Sequence, residues 1–447
     1  MDKKNLKNYN IRKPESARDT ALFMLLNINE NSRKSNVFIR ETLDKNVRLD
    51  VRDKALAEHL VQGTLSQLYG IDAVIAEYSK TPVSKLNPYI REILRMSVYQ
   101  LMYMDRIPDN AAINEGVELS KAHGLIKLSG YVNGVLRSIA RDKEKIHMNG
   151  EDSRLRRVLK DGPVRYSVPV WLYKKLTEDF GVPGAEGIFE AWMMLRKTPV
   201  RFNTSKASEE KILEMIREDG VSAEKIEAVP PVYELDGLSG MGVAGLKAFN
   251  EGYITVQDAS AAKIAEFVSP RPGDYIIDMC AAPGGKSLLM ADMSGDEAVI
   301  DSRDVSEDKT RLIDENVIRC GFKSIKTSVK DALKLDKDVI GRADIVIADL
   351  PCSGLGVIAK KPDIKKRITP EDITELRDMQ REILKNAVRY LKQGGTLIYS
   401  TCTVTREENE ENAYWIASEL KLKMNMMKRI NPDLHHDGFF IAGYTKE

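Results

Sequence analysis

Cysteine is scarce in this chain: there are four in 447 residues. Cys280, Cys320, Cys352 and Cys402 show neither the spacing of a disulfide framework nor that of a metal-ligand cluster. This argues against a disulfide-stapled scaffold and against structural zinc, and it fits a protein of the reducing cytoplasm. Long apolar runs are missing too. None approaches the ~20 residues that a membrane-crossing helix needs, so no membrane is expected as a partner. The opening Met1-Asp2-Lys3-Lys4-Asn5 is polar and unlike a signal peptide. The three spaced glycines of a dinucleotide loop are absent. Gly285-Lys286-Ser287 imitates the end of a phosphate-binding loop, but Cys280 stands where that loop needs a glycine, which disfavours ATP and GTP.

What remains is an ordinary globular composition, 43% apolar and 30% charged. A chain of 447 residues holds about three domains of ~100–200 residues each. The net charge of +1 is unevenly spread: residues 1–150 hold 24 Lys+Arg against 18 Asp+Glu, and the remainder 44 against 49. Scatter over a solvated surface explains this, and so does a first domain that touches a polyanion. The count leaves both open.

Apolar residues at helical spacing fill residues 16–141, as in Ile90, Ile93, Leu94, Val98 and Leu101. Thr81-Pro82 and Asn87-Pro88 read as helix entries. Residues 142–163 are charged and apolar-poor, the pattern of a linker. Residues 164–255 alternate helix (171–180), strand (200–203), helix (from the N-cap Ser208) and strand (232–235), a small α+β unit. From 256 to 447 strands and helices alternate, which predicts a parallel sheet with helices on both faces. Its strands are expected at 275–278, 298–300, 325–329, 345–348 and 396–399, with 438–442 as an antiparallel edge. Thr369-Pro370-Glu371-Asp372 reads as a helix start, and Thr405-Arg406-Glu407-Glu408 as a capping box.

Ligands of such sheets lie beyond the carboxyl ends of the strands. Those ends carry Asp278 and a loop of small residues, Asp304, Asp331, Asp349 with Cys352, and Ser400 with Cys402. Small residues let a ligand approach the backbone, and the next helix offers its N–H groups. A lone Asp is more often a cap or a solvated residue. Four at successive strand ends point instead to a ligand with hydroxyls, an amine and a cationic centre, and S-adenosylmethionine has all three.

Cysteine is usually a buried, inert small hydrophobe. Two at neighbouring strand ends suit methylation of pyrimidine carbon 5. That carbon is too weak a nucleophile until a thiolate adds to carbon 6. A carboxylic acid near ring N3 would stabilise the adduct, and a base must then take the carbon-5 proton. Cys320 falls at a helix end and is expected to be structural. His435 and His436 are read as local structure, and Trp171 and Trp192 as core rather than base-stacking platforms.

Cys280-Ala-Ala-Pro-Gly-Gly-Lys286, Asp349-Leu-Pro-Cys-Ser-Gly354 and Ser400-Thr-Cys-Thr403, with Gln257-Asp-Ala-Ser260 upstream, resemble the Nop/Sun family of RNA cytosine-5 methyltransferases. The resemblance covers residues 165–445. The segment from Asp105 to Lys121, with Tyr131-Val-Asn-Gly-Val-Leu-Arg137, is similar to NusB-like helical RNA-binding domains. Together they imply an all-α NusB-like domain (1–141), the linker (142–163), a small α+β RNA-recognition subdomain (164–255) and an α/β Rossmann-like class I methyltransferase domain (256–447). The resemblance further implies Cys402 as nucleophile, Cys352 assisting release, and Asp349 near the cofactor and cytosine N3, with Lys286 facing the base. It implies that Cys280, Ala281, Ala282, Pro283, Gly284, Gly285, Lys286, Asp304, Asp331 and Asp349 hold S-adenosylmethionine. The implied partner of a monomeric enzyme is 16S rRNA, naked or in a partly assembled small subunit. Leu350 departs from the family, which more often has Ala there. An amino-group methyltransferase is a competing reading, although its polar-Pro-Pro-aromatic turn is missing. A non-catalytic RNA assembly factor is another.

Overall fold

A computed structural model describes residues 14–147, 153–194, 196–238 and 242–447. They form two compact units. One runs to Met193 and includes Lys360–Arg367; the other comprises Met194–Ala359 and Ile368–Glu447.

The first unit is helical. Ser16 caps Ala17–Asn31 by accepting from the Asp19 N–H, and Asn87 caps Pro88–Tyr103, whose first residue is the predicted proline. These helices pack with Val51–Ser66, Asp109–Ala122 and Ile126–His147 around Leu22, Leu60, Ile93 and Leu136. Thr81-Pro82 leads only into a short 3-10 turn, Val83–Lys85.

The expected linker is not one. The helix Ile126–His147 crosses its start, and two short helices, Arg154–Val158 and Gly162–Arg165, follow in the same unit. Residues 148–152 of that stretch lie outside the described residues. Leu155 is fully buried. Asp142, also buried, accepts from the Tyr78 hydroxyl (2.5 Å), the Ser153 hydroxyl (3.0 Å) and the Leu155 N–H (3.0 Å). A buried, hydrogen-bonded carboxylate counts as polar in a sequence pattern, and that made the stretch look solvated. The helix expected at 171–180 is the start of Val170–Met193, which turns at Gly181 (φ 69°) and belongs to the first unit rather than to the small α+β unit.

The second unit holds two sheets. Strands β1 (Thr198–Phe202), β2 (Ser222–Glu227), β3 (Val232–Asp236) and β4 (Ile254–Val256) form an antiparallel sheet in the order β2-β3-β1-β4. The larger sheet uses β5 (Tyr275–Asp278), β6 (Val299–Asp304), β7 (Ile325–Val329), β8 (Ala343–Asp349), β9 (Leu391–Thr401), β10 (Lys423–Ile430) and β11 (Phe439–Thr445). Its order is β10-β11-β9-β8-β5-β6-β7, and β11 alone is reversed, antiparallel to both its neighbours β9 and β10. This is the Rossmann-like arrangement, with apolar clusters on both faces around Val346, Leu384 and Tyr399 and around Ile276, Leu289 and Ile347. The strand expected at the edge, β11, lies one place inside it. The edge is β10, whose Lys423-Met-Asn-Met-Met-Lys-Arg-Ile430 is nowhere fully buried and shows no clean alternation.

The two sheets are tied by buried charge. Arg201 on β1 donates to Gln257 (2.7 Å) and to Asp292 (3.2 Å) on the helix Gly285–Met293. Among the described residues no helix is long and apolar enough to cross a membrane.

Candidate functional site

The five parallel strand ends bring most of the predicted residues together. β5 stops at Asp278, and the loop Met279–Gly284 turns the chain into Gly285–Met293. Gly284 takes φ 102° at the N-cap, a conformation that an L side chain rarely adopts. The Ala281 N–H donates to the Arg303 carbonyl (2.8 Å), and the Ala282 N–H to Asp304 Oδ2 (3.1 Å). The glycine loop is thereby fastened to the end of β6. Pro283 is exposed, and its carbonyl accepts from Asn316 (3.0 Å).

Asp278 is fully buried. Its Oδ2 accepts from Ser287 Oγ (2.7 Å), which is itself 2.6 Å from Ser302 Oγ; its Oδ1 has no partner among the described residues. Burial pushes this carboxyl up to about 7, and the Ser287 hydrogen bond only partly offsets that. An unpartnered buried carboxylate oxygen beside a glycine loop fits a ligand that brings a positive charge or N–H donors. Cys280 lies among the same carboxylates. Burial, and after it the nearby Asp304, Asp278 and Asp349, push its thiol up, so it stays protonated.

Asp304, almost wholly covered, also accepts from the Val305 N–H (2.8 Å) and Lys309 Nζ (2.9 Å). Asp331 follows β7, next to Lys330, whose N–H donates to the Asp304 carbonyl (2.9 Å). It accepts from the Leu333 N–H (3.1 Å), has Lys334 at 3.7 Å, and makes no hydrogen bond to the other candidates.

Asp349, at the end of β8, accepts from Lys286 Nζ (2.5 Å) at one oxygen and Ser400 Oγ (2.8 Å) at the other. Burial opposes the Lys286 charge, but Asp349, and behind it Asp278, hold the amine above its ordinary range. Lys286 also lies 5.1 Å from the centre of the Phe439 ring.

Cys352 and Cys402 meet. Their Sγ atoms are 3.3 Å apart, and both side chains are half-buried. Parallel register sets this up, because Asp349 of β8 faces Ser400 of β9 and each cysteine follows within three residues. Cys352 is pushed well up, first by its hydrogen bond with Cys402 and then by burial. Leu350 is buried in the core beneath the site. Cys320 is buried elsewhere, 3.7 Å from Asn203 Nδ2.

Sequence reasoning missed Glu408. The expected capping box does not form: the following helix is Glu410–Glu419, and its N-cap Asn409 makes no side-chain cap. Thr405 instead donates to Glu408 (2.8 Å), which also accepts from Ser353 beside Cys352. Asn409 and Gln380 were missed as well, and so was the bond from Ser400 to Asp349. A usable signal was that no helical apolar pattern begins at Thr405.

Residues 265–445 match the model of a family described as 16S rRNA methyltransferase RsmB/F, and residues 15–141 match the NusB family. A relative from Bacillus subtilis, named probable ribosomal RNA small subunit methyltransferase B, is 32% identical over 97% of this chain and 100% of its own length. The same enzyme from Proteus mirabilis is 31% identical, over 91% of this chain and 93% of its own. Among solved structures, that of PH0851 superposes with a TM-score of 0.78 at 26% identity, covering 97% of this chain and 99% of that one.

Proposed function

Because this chain belongs to the 16S rRNA methyltransferase RsmB/F family, a group of S-adenosylmethionine-dependent rRNA methyltransferases, we propose that it methylates carbon 5 of a cytosine in 16S rRNA through a covalent bond from Cys402. The observation that carries this reading is the 3.3 Å between the Cys402 and Cys352 sulfurs, next to the Lys286–Asp349 pair. The target position suggested by the resemblance is cytosine 967.

The glycine loop and the unpartnered Asp278 oxygen suit S-adenosylmethionine, with Asp304 and Asp331 as further cofactor contacts. When bound, the cofactor supplies an electrophilic methyl group. The rest falls to side chains of the chain. Cys402 adds as thiolate to ring carbon 6, which makes carbon 5 nucleophilic. Lys286 has the proton to give toward N3, and Asp349 holds it there. Cys352 begins as a thiol, kept so chiefly by Cys402. Once the Cys402 sulfur is a thioether, that hydrogen bond and charge are gone. Burial still opposes its ionisation, so Cys352 first gives its proton to a base from solvent; its thiolate then accepts the proton from carbon 5 and is a thiol again. The bond from carbon 6 to sulfur breaks, and Cys402 leaves as thiolate. The base must be turned out of any stack to reach these sulfurs.

RNA carrying 5-fluorocytosine tests the first step, because the fluorine cannot be removed as a proton. A denaturation-resistant protein–RNA complex that forms with wild type and not with Cys402→Ala is expected. On ordinary cytosine, Cys352→Ala should accumulate the complex and stall. The reverse pattern would exchange the two roles, and no complex in wild type would sink the covalent reading.

A further inference from the structure

Two consecutive residues after Cys402 hold the two reacting sulfurs, one each. Glu408 is fully buried and accepts four hydrogen bonds. Its Oε1 takes the Ser353 N–H (2.9 Å) and Gln380 Nε2 (3.1 Å); its Oε2 takes the Ser353 hydroxyl (2.5 Å) and the Thr405 hydroxyl (2.8 Å). Gln380 also donates to the Pro351 carbonyl (2.9 Å). Both neighbours of Cys352 in sequence are therefore gripped, Ser353 by Glu408 directly and Pro351 through Gln380. The Glu408 backbone is itself fixed, because the Tyr399 hydroxyl donates to its carbonyl.

Asn409 does the same for the other cysteine. Its Oδ1 accepts from Thr401 Oγ1 (2.5 Å), and its Nδ2 donates to the Thr403 carbonyl (3.1 Å). Thr401 and Thr403 flank Cys402. The Cys402 carbonyl takes a further N–H from Gly356 (3.0 Å), and β9 is laddered to β11 as far as Thr401. None of these supports of Cys402 passes through the Glu408 carboxylate. The two grips touch at one point, where Ser353 Oγ lies 2.6 Å from Thr403 Oγ1.

From this geometry we propose that Glu408 and Asn409 are separate positioning residues, Glu408 setting Cys352 for release of the methylated base and Asn409 setting Cys402 for attack. The proposal rests on the reading of the two cysteines given above. A sulfur displaced by about 1 Å can cost about 100-fold in rate, so loosening one grip should slow one step and spare the other.

The test uses the full chain and two RNA substrates, one with cytosine and one with 5-fluorocytosine. Glu408→Ala should trap 5-fluorocytosine RNA at near wild-type rate, yet accumulate the complex on ordinary cytosine, with multiple turnover down by roughly ten- to a hundred-fold. Glu408→Gln keeps an acceptor and the volume, and should fall between wild type and Glu408→Ala. Asn409→Ala should slow formation of the 5-fluorocytosine complex by a similar factor and accumulate nothing on ordinary cytosine. S-adenosylmethionine affinity in each variant reports folding, and Glu408→Gln stands in for Glu408→Ala if the latter does not fold. Parallel loss of trapping and turnover in both positions would mean a merely structural role and overturn the proposal. Wild-type turnover in Glu408→Ala would overturn it too. Absence of trapping by the wild type would instead strike the covalent reading, before either variant is consulted.

Discussion

A carboxyl group buried at the end of β5 resists ionisation until something cationic pairs with it or the pH reaches about 7. Burial holds Asp278 at about 7, whereas an unfolded chain would release that proton near the ordinary value of 3.8. The folded pKa is therefore the higher one. Asp278 costs the ligand-free fold stability as pH rises from 3.8 to about 7, and the loss levels off above that. A cationic ligand pulls the pKa back down, so binding releases a proton. S-adenosylmethionine affinity should rise with pH up to about 7, by at most about tenfold per unit, and be flat above. Calorimetric titrations across that range should show the slope, and Asp278→Asn should weaken binding and flatten it. An unchanged slope in that variant would assign the titration to another group. At this scale the nearness of Asp349, Cys352 and Cys402 was legible, because each follows the end of one of two neighbouring strands, whereas Lys286 entered only through the family resemblance. Glu408 and Asn409 were not legible. Their function is to hold backbone that only the fold brings near, and a Thr-x-x-Glu string looks the same whether the glutamate caps a helix or grips another loop.

Among elements, the close approach of β8, β9 and β11 beneath the two cysteines sets the tolerance of the site. Gly356 shows it. A Cβ there would stand 2.0 Å from the Gly438 carbonyl oxygen and 2.7 Å from that of Cys402, both backbone atoms that cannot swing aside. The Gly356 N–H serves the Cys402 carbonyl, and its own carbonyl accepts from the Gly438 N–H (2.8 Å). Gly356→Ala should therefore push the Cys402 loop and β11 apart. We expect destabilisation of ~1–3 kcal/mol, read from denaturant unfolding, and loss of the 5-fluorocytosine complex. Wild-type trapping in that variant would show that the strand ends can give. The alternation of strand and helix in this region was legible because strands buried on both faces read as continuous apolar runs, as Ile345-Val-Ile-Ala348 does. β2 and β10 were invisible for the opposite reason. Each lies at the edge of its sheet and is never fully buried, so neither apolar runs nor alternation marks it.

For the whole molecule, the boundary that sequence reasoning drew at residue 141 cuts through a compact unit. Leu155, Val158 and Leu159 pack in the same core as Leu22 and Leu136, and Asp142 accepts from the Tyr78 hydroxyl across the cut. Residues 360–367 belong to that unit as well. Lys365 donates to the carbonyls of Ser66 (2.6 Å) and Ser167 (2.8 Å), and Lys366 to that of Asn29 (2.7 Å). No local pattern could reveal this, since the segment is a short basic run remote in sequence from what it meets. The consequence for experiment is direct. Deleting residues 1–141 alone should give an aggregating protein, because it strips the partners from Leu155 and takes the Ser66 carbonyl from the Lys365 amine, leaving only that of Ser167. Removing residues 1–193 and replacing 360–367 by a flexible linker of equal length should leave a folded second unit. Every proposed cofactor residue from Cys280 to Asp349 lies in that unit, so S-adenosylmethionine affinity should stay within about twofold of the full chain. If the basic excess of the first 150 residues contacts phosphates, affinity for 16S rRNA should fall and depend less steeply on salt. A salt slope equal to that of the full chain would place the phosphate contacts in the second unit and make the N-terminal charge incidental.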